Sequence, residues 1–263
     1  MKRAYADIPE GQIHYRVEGE GKPVLLLHMA VASSDEFTRV MHFISKKYRA
    51  IAVDFMGFGD SDPAPREYQI IDHARTIISF MDALGIDKAH IAGQFFGAEI
   101  AVELAVNWPE RVDKLILAGA EFWEESQAVD LKEPTNFTTT VEIKPDGSHL
   151  LEWWRRAGLW GDYSLDIMEE RVIEYIKAGP RGEEAHWAGG SYNSKHRLPL
   201  ITRPTLVLDA TGFPLHSRSH IVQELIPNSK LITVEGGPMY CDRAMPKEYA
   251  GAILKFLGSG GKR

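Results

Sequence analysis

The chain has 263 residues, of which 44% are hydrophobic, and a formal net charge of −7. This length allows one large α/β domain with a sizeable core or two small ones, and the acidic balance gives no reason to expect nucleic acid or a membrane surface as a partner. Cys241 is the single cysteine, which excludes an intrachain disulfide and, with an N-terminus that lacks the apolar run of a signal peptide, predicts a cytoplasmic protein.

Strand-like and helix-like segments alternate along the first 120 residues. Short apolar segments typical of buried strands are separated by segments whose apolar residues recur at helical spacing. In chain order the pattern predicts strands at 12–18, 24–27 and 50–53, a helix at 71–84, a strand at 88–92, a helix from about 98 to 107, and a strand at 112–118. This alternation indicates an α/β fold with a mostly parallel sheet that helices cover on both faces.

The pattern changes after Ala120. The following region is rich in Trp, Glu and Arg, and its helical periodicity at 150–157 and 165–176 predicts an inserted helical cap. The α/β pattern resumes with a strand at 204–208, a helix at 219–225, a strand at 231–234 and a final helix at 246–257. We therefore expect a first core segment, a cap, a second core segment and a flexible tail, at 1–125, 126–198, 199–257 and 258–263.

The segment Gly93-Gln94-Phe95-Phe96-Gly97 has the glycine spacing of a nucleophile elbow, G-x-S-x-G. An elbow is a sharp turn between a strand and a helix, and it holds its central residue at positive φ so that a hydroxyl stands above the sheet. Phe95 occupies that central position and has no oxygen with which to attack a carbonyl. We expect Phe95 to relax or reshape the turn, whereas Gly93 and Gly97 remain necessary for it.

An ordered series of motifs resembles the α/β-hydrolase superfamily, in particular its small cap-bearing carbon–carbon bond hydrolases, epoxide hydrolases, haloalkane dehalogenases and lactonases. The resemblance implies the α/β-hydrolase fold, which is a mostly parallel eight-stranded sheet flanked by helices, with an inserted helical cap. It covers nearly the whole chain outside the cap. The matching segments, in order, are Leu25-Leu26-Leu27-His28, the D-x-x-G-x-G-x-S loop from Asp54 to Ser61, the elbow glycines, Pro109-Glu110-Arg111-Val112, and Pro246-Lys247-Glu248-Tyr249.

The positions that carry chemistry in that superfamily hold other residues in this chain. Phe95 stands at the nucleophile position, and Phe213 stands at the acid position. Either Pro238 or Met239 stands at the histidine position, depending on one gap in the match. A triad requires three side chains within hydrogen-bond reach of one another, so the resemblance implies a protein that is not a conventional serine hydrolase.

Other residues offer partial substitutes for this machinery. Glu121 follows a predicted strand, at a place where some lactonase-like members of the superfamily carry their acid, and it is our candidate catalytic residue. A solvated carboxylate at a strand end is the alternative. Cys241 is expected to be an inert thiol. His216 and His220 lack an evident third ligand, so we expect neither a metal nor a cofactor.

The strand ends are expected to meet at a gorge beneath the cap, because ligands of α/β proteins bind at the carboxyl ends of the strands. The residues that we expect to contact a ligand there are His28, Met29, Ala30, Phe95, Phe96, Phe213, Met239 and Trp154. His28 has the alternative role of a structural residue bonded to nearby backbone, and the cap tryptophans have the alternative role of anchoring the cap.

Three functions are consistent with these residues. The first is binding of an apolar small molecule, alone or with non-hydrolytic chemistry such as cyclisation, isomerisation or elimination, for which positioning carries most of the effect. The second is a pseudoenzyme that acts through a protein partner, and a homodimer is left open. The third is an atypical hydrolase or lactonase in which Glu121 activates water.

Overall fold

The structure, a computed structural model, describes residues 1–120, 141–159, 161–179 and 181–259. Its eight strands form one sheet with the order β1-β2-β4-β3-β5-β6-β7-β8. β2 pairs antiparallel with β1 and β4, and all other pairs are parallel. The strands are β1 Lys2–Ile8, β2 Gly11–Glu18, β3 Pro23–Leu27, β4 Arg49–Val53, β5 Ala89–Gln94, β6 Val112–Ala118, β7 Thr205–Ala210 and β8 Ser229–Val234.

Helices cover both faces of the sheet. One apolar cluster packs α2 and α3 against one face, and a second packs α1 and α9 against the other. Among the described residues the helices are α1 Thr38–Ile44, α2 Ile70–Ala83, α3 Phe96–Asn107, α4 His149–Ala157, α5 Leu165–Ala178, α6 Arg181–Gly190, α7 Ser219–Leu225, α8 Cys241–Ala244 and α9 Pro246–Gly258. None of these helices is long and apolar enough to cross a membrane.

The predicted strands and helices of the core are confirmed to within about two residues at most ends, and the eight-stranded fold is confirmed with them. β1, α1, α6 and α8 were not predicted. β1 is an edge strand in which only Ala6 and Ile8 are buried, so its sequence carries little apolar signal. Helices α4, α5 and α6 lie between β6 and β7 in the chain, whereas the proposed cap boundaries at 126 and 198 remain predictions.

Parallel pairing brings the carboxyl ends of β3, β5, β6 and β7 to one edge of the sheet. Leu27 lies opposite Gly93, and Gly93 lies opposite Leu117, so the loops that leave these strands start side by side. The elbow therefore sits in the middle of this edge, between the loop that follows β3 and the loop that follows β6.

Candidate functional site

The elbow keeps its strained backbone although its central residue is phenylalanine. Phe95 has φ 46° and ψ −112°, so the expectation that it relaxes the turn was wrong. The Phe95 N–H donates to the carbonyl oxygen of Ala118 at 2.9 Å, and the Phe95 carbonyl accepts from the Ala98 N–H at 2.8 Å. These bonds fix the residue to β6 on one side and to the first turn of α3 on the other, so the fold imposes the conformation.

Both elbow glycines are necessary, as predicted. A Cβ at Gly93 would overlap the carbonyl group of Gly97, and a Cβ at Gly97 would overlap the carbonyl groups of Leu27 and His28. All of these obstacles are backbone atoms, which cannot turn away as a flexible side chain can. The close approach of three chain segments therefore requires glycine at both positions.

The ring of Phe95 occupies the space above the strand ends. Its centroid lies 5.2 Å from that of Phe213, and a Cβ added at Gly119 would come within 2.5 Å of the ring. Both phenylalanines are buried and belong to one apolar cluster with Met29, Tyr240 and the cap residue Ile167. We call these five residues the elbow cluster.

Three further residues that we expected to contact a ligand, Ala30, Met239 and Phe96, lie outside the elbow cluster. Met239 is half-buried and packs against the larger apolar core that contains the elbow cluster, and Ala30 is also half-buried. Phe96 does not join Phe95 and Phe213 in a common floor. Its ring packs on the other side of the sheet, 5.8 Å from that of Phe55 and 5.2 Å from that of His73.

The cap tryptophans point in different directions. Trp154 is 39% exposed, so its predicted place in the gorge is not where the structure puts it. The neighbouring Trp153 is buried and stacks on Tyr175, with ring centroids 5.3 Å apart. Helical geometry forces this choice, because consecutive residues lie about 100° apart around the axis and only one of them faces the core.

His28 is held by backbone groups on both ring nitrogens. Nδ1 donates to the carbonyl oxygen of Met29 at 2.7 Å, and Nε2 accepts from the N–H of Phe55 at 3.2 Å. Burial lowers the pKa of this imidazole, which agrees with a neutral ring that donates on one side and accepts on the other. The structural role that we considered as an alternative fits this geometry, and neither ring nitrogen is left for a ligand.

Asp54, the first residue of the D-x-x-G-x-G-x-S loop, closes a turn. Its carboxylate accepts from the ring of His14 at 2.8 Å and from the backbone N–H of Asp60 at 2.8 Å. Burial favours a raised pKa, but these bonds and that from the Ser34 N–H lower the pKa of Asp54 to about 2. His14, Asp54 and Asp60 are close enough to hold a cation, yet His14 and Asp54 already bond to each other. They are most simply a structural unit.

Glu121 and Cys241 are the two remaining residues that we considered as catalytic groups. Glu121 lies outside the described residues, so its predicted catalytic role remains a prediction. Cys241 is fully buried, and burial raises the pKa of its thiol to about 12. The thiolate is therefore strongly disfavoured near neutral pH, which agrees with the expectation of an inert cysteine.

Sequence analysis missed a carboxylate–imidazole pair within the second core segment. Asp209 is buried in β7 and accepts from His216 Nδ1 at 2.6 Å and from the Ser219 hydroxyl at 2.9 Å. His216 precedes α7, whereas His220 lies inside it, so the two histidines do not act as a pair. The sequence did contain a signal for this pair. Asp209 lies in an apolar strand, and a buried carboxylate there requires hydrogen-bond donors close by.

Sequence analysis also missed a run of buried polar side chains that extends from the elbow to the cap. The Tyr249 hydroxyl donates to Gln94 Oε1 at 2.6 Å, and Gln94 Nε2 donates to Asp242 Oδ1 at 2.9 Å. Arg243 follows Asp242 in the chain and donates to Glu174 Oε1 of α5 at 2.6 Å. Arg171 donates to the other oxygen of Glu174 at 2.5 Å. We call these six residues, Tyr249, Gln94, Asp242, Arg243, Glu174 and Arg171, the buried polar chain.

Glu36 lies beside this chain and is buried as well. Its Oε2 accepts from the Met29 N–H at 2.9 Å, in the loop that follows β3. Burial and the nearby charge of Asp242 raise the pKa of Glu36 well above its usual range, although Arg243 opposes this change. Burial also raises the pKa of Asp242. Two carboxyl groups that resist ionisation therefore flank the elbow.

These raised pKa values predict a pH dependence of stability. The folded chain binds the protons of Glu36 and Asp242 more tightly than the unfolded chain, so their contribution is present in acid and is lost as the pH rises from about 4 through the folded pKa values. Glu36→Gln keeps an oxygen for the Met29 N–H but cannot ionise. Its unfolding free energy should fall less steeply between about pH 5 and 8, by up to ~1.4 kcal/mol per pH unit.

Urea unfolding of both proteins across that pH range measures the difference. Glu224→Gln, on the exposed side of α7, controls for the loss of one negative charge. Parallel curves for wild type and Glu36→Gln would show that Glu36 does not hold a proton in the folded chain.

Comparisons with a family model and with known proteins point to the same family. A family model described as alpha/beta hydrolase fold matches residues 22–157, slightly more than half of the chain. Haloalkane dehalogenase 2 of Mycobacterium tuberculosis is 37% identical over 118 residues, which cover 44% of this chain and 41% of that protein. A 2-hydroxy-6-oxononadienedioate/2-hydroxy-6-oxononatrienedioate hydrolase of Paraburkholderia phymatum is 36% identical over 182 residues, which cover 65% of this chain and 57% of that protein. The matches therefore span only about half the length of these relatives.

Solved structures resemble the whole chain at lower identity. A bromoperoxidase from Bacillus anthracis has a TM-score of 0.82 at 23% identity, with 97% of this chain and 99% of that chain covered. An enol-lactonase from Burkholderia xenovorans has a TM-score of 0.76 at 17% identity, with the same coverage. At these identities the likeness concerns the fold and not the activity.

Proposed function

The chain belongs to the α/β-hydrolase fold family, and from that premise we propose that it binds an apolar small molecule between the strand ends and the cap, without a Ser-His-Asp triad and without hydrolysis through the elbow. The observation that carries the proposal is the ring of Phe95, which stands in a fully formed elbow where family members place a nucleophile. A phenyl ring cannot form a covalent intermediate, whereas it can contact an apolar ligand.

The surroundings of Phe95 support an apolar ligand. Met29, Phe213 and Met239 come from the loops after β3, β7 and β8, and Ile167 comes from the cap. These positions lie at the strand ends, where α/β proteins bind small molecules. An apolar site of this kind suits binding alone or shape-directed cyclisation, isomerisation or elimination, because such reactions depend chiefly on positioning. We further propose that it works in the cytoplasm and uses no cofactor.

Removing the side chain of Phe213, which contacts Phe95 at the elbow, tests the proposed binding site. Phe213→Ala removes apolar area beside Phe95, so the affinity for the uncharged dye N-phenyl-1-naphthylamine should weaken by roughly 1–3 kcal/mol at ~25 cal/mol per Å². Fluorescence titration measures the affinity. Phe256→Ala is the matched control, since Phe256 is equally buried but lies in α9, where it packs under Lys114. Equal affinities for wild type and Phe213→Ala would contradict a ligand site at the elbow.

The absence of a nucleophile can be tested directly. We expect a fluorophosphonate probe to leave the protein unlabelled, as judged by intact mass, because neither Phe95 nor Phe213 can react with it. Phe95→Ser should still show no appreciable ester turnover, since a serine also needs its base and the acid that orients it. Stoichiometric labelling of the wild-type protein at a side chain near the elbow would refute the proposal.

A second candidate function, action through a protein partner, is favoured by the outer face of the cap. On α5, Leu165 and Ile176 are 74% and 50% exposed, and Ile173 is similarly exposed. On α4, Leu151 is 75% exposed. Large apolar side chains grouped on a surface commonly mark protein interfaces. A second copy of this chain is the simplest partner. Light scattering should then report a dimer for wild type and a monomer for Ile173→Lys. A monomeric wild type would exclude the homodimer.

A further inference from the structure

A histidine of α2, His73, is enclosed between the core and the cap. Its side chain is buried, and three aromatic rings of the core surround its imidazole at centroid distances of 5.2 to 5.7 Å. These rings belong to Phe55, Tyr68 and Phe96. Helix α6 of the cap faces the same place, because Glu184 and Ala185 line a cavity of about 10 Å³ together with His73. That cavity has room for one water molecule.

This enclosure suits a neutral imidazole and not a charged one. Nδ1 of His73 has no hydrogen-bond partner among the described residues. A protonated ring would carry an N–H on both nitrogens, and a buried cation whose donor lacks an acceptor is costly. One water molecule cannot replace the hydration shell of such a cation. Burial accordingly lowers the pKa of His73 to about 3.

The titratable groups of the core around His73 do not offset this cost. Asp72, its neighbour on α2, already accepts from both terminal nitrogens of Arg66 and raises the pKa of His73 less than burial lowers it. His28, in the loop after β3, opposes a second positive charge. Tyr68, in the loop before α2, has a pKa that burial raises, so it stays neutral. A proton on His73 therefore finds no free counter-ion on the core side.

Helix α6, on the cap side, is weak by itself. It has ten residues, and Gly182, Gly189 and Gly190 are among them. A helix of this length is marginal in water, and glycine weakens it further, so packing against its neighbours holds it in place. Glu184 of α6 lines the cavity, but the groups that set the pKa of His73 do not include it. His186 of α6 also has a pKa that burial lowers, to about 4, so acid opposes its burial as well.

We propose that protonation of His73 releases α6 from the core, so that acid opens the cap on the side of Phe96. The ring stays neutral while α6 covers it, whereas an uncovered ring is hydrated and takes up a proton at its ordinary pKa near 6.5. The contribution of His73 to the closed form is therefore present at neutral pH and is lost as the pH falls from about 6.5 to about 3. Within that range His73 should favour opening by about ten-fold more for each pH unit. This switch does not depend on the ligand proposed above.

Hydrogen exchange of the α6 peptide, measured by mass spectrometry and corrected for the intrinsic exchange rate, reports the opening. Between about pH 7.5 and 5 the opening of wild type should increase about thirty-fold more than that of His73→Phe. Phenylalanine keeps a ring among the aromatic neighbours but cannot take up a proton. Because both proteins retain His186 and the buried carboxyl groups, their contributions cancel in this comparison.

His90→Phe is the matched control. His90 is as buried as His73, and burial lowers its pKa to about 4, but it lies in β5 beside Asp113. Its loss should leave the response of α6 to pH as in wild type. NMR signals of the His73 ring in wild type give a measurement that needs no variant, and they should show a neutral ring at pH 5 as long as α6 stays protected.

Three results would overturn the proposal. The first is an equal increase in opening for wild type and His73→Phe, and the second is an increase that His90→Phe loses as well. The third is a His73 ring that becomes protonated near pH 6.5 while α6 remains protected from exchange.

Discussion

Replacing Gly97 with valine should destabilise the protein by about 3 kcal/mol, the upper end of the ~1–3 kcal/mol range for overpacking, because the obstacles are backbone atoms. The new Cβ would overlap the carbonyl groups of Leu27 and His28. Leu27 is also paired with Gly93 in the sheet, so β3 cannot move away without losing its register with β5. In a chain of this size the thermal midpoint should fall by roughly 10 °C, as measured by circular dichroism or calorimetry.

The matched control is the same substitution at a glycine with free space around it. Gly251 lies in α9 with no heavy atom within 4 Å of an added Cβ, so Gly251→Val should change the unfolding free energy by less than about 1 kcal/mol. If Gly97→Val unfolded at the wild-type midpoint, the close crossing of α3 over β3 would not exist in solution.

The persistence of the elbow around Phe95 separates two reasons for backbone strain. A non-glycine residue at positive φ costs about 1–3 kcal/mol and is usually a sign of function. Phe95 has that conformation without the hydroxyl for which an elbow is normally used. Its backbone bonds to Ala118 and Ala98 show that the connection from β5 to α3 is sufficient to maintain it. The strain therefore reflects the topology of the sheet, and it does not by itself indicate catalysis.

Much of this architecture could be predicted because short-range patterns decide it. The buried strands are continuous apolar segments, and the glycine pair at 93 and 97 fixes the turn between β5 and α3. The meeting of Phe95 with Phe213 also followed from the fold, since both stand at the ends of parallel strands. By contrast, the orientation of Phe96 depends on where the first turn of α3 directs it, which residue spacing around the elbow does not determine.

The buried polar chain could not be predicted, because α5 carries two charged residues on its otherwise apolar buried face. Arg171 and Glu174 are buried beside Ile167 and Tyr175, while other apolar residues of α5 face outwards, namely Leu165, Ile173 and Ile176. An argument from periodicity places the apolar face inwards and the charges in solvent. Arg243, far away in the sequence, supplies the second partner that Glu174 needs when it is buried. No local pattern contains that information.

Replacing Glu174 with leucine should cost about 3–5 kcal/mol, which is the range for removing one partner of a buried ion pair. Glu174 binds Arg171 at 2.5 Å and Arg243 at 2.6 Å, and all three side chains are at least 90% buried. Leucine would leave two guanidinium groups in the interior without that carboxylate. Urea unfolding should show the loss as a lower midpoint, with a slope close to that of wild type if unfolding remains two-state.

Two further variants make the interpretation of Glu174→Leu specific. Glu152→Leu removes a carboxylate from another arginine pair in the cap, but Arg155 is largely exposed there, so the cost should be below about 1 kcal/mol. Arg171→Met combined with Glu174→Leu should recover part of the lost stability, because it removes one of the two unpaired charges and fills the space with apolar atoms. If Glu174→Leu were no more costly than Glu152→Leu, α5 would not be held to the core by buried charges, and the polar environment assigned to Asp242 and Glu36 would lose its support on the cap side.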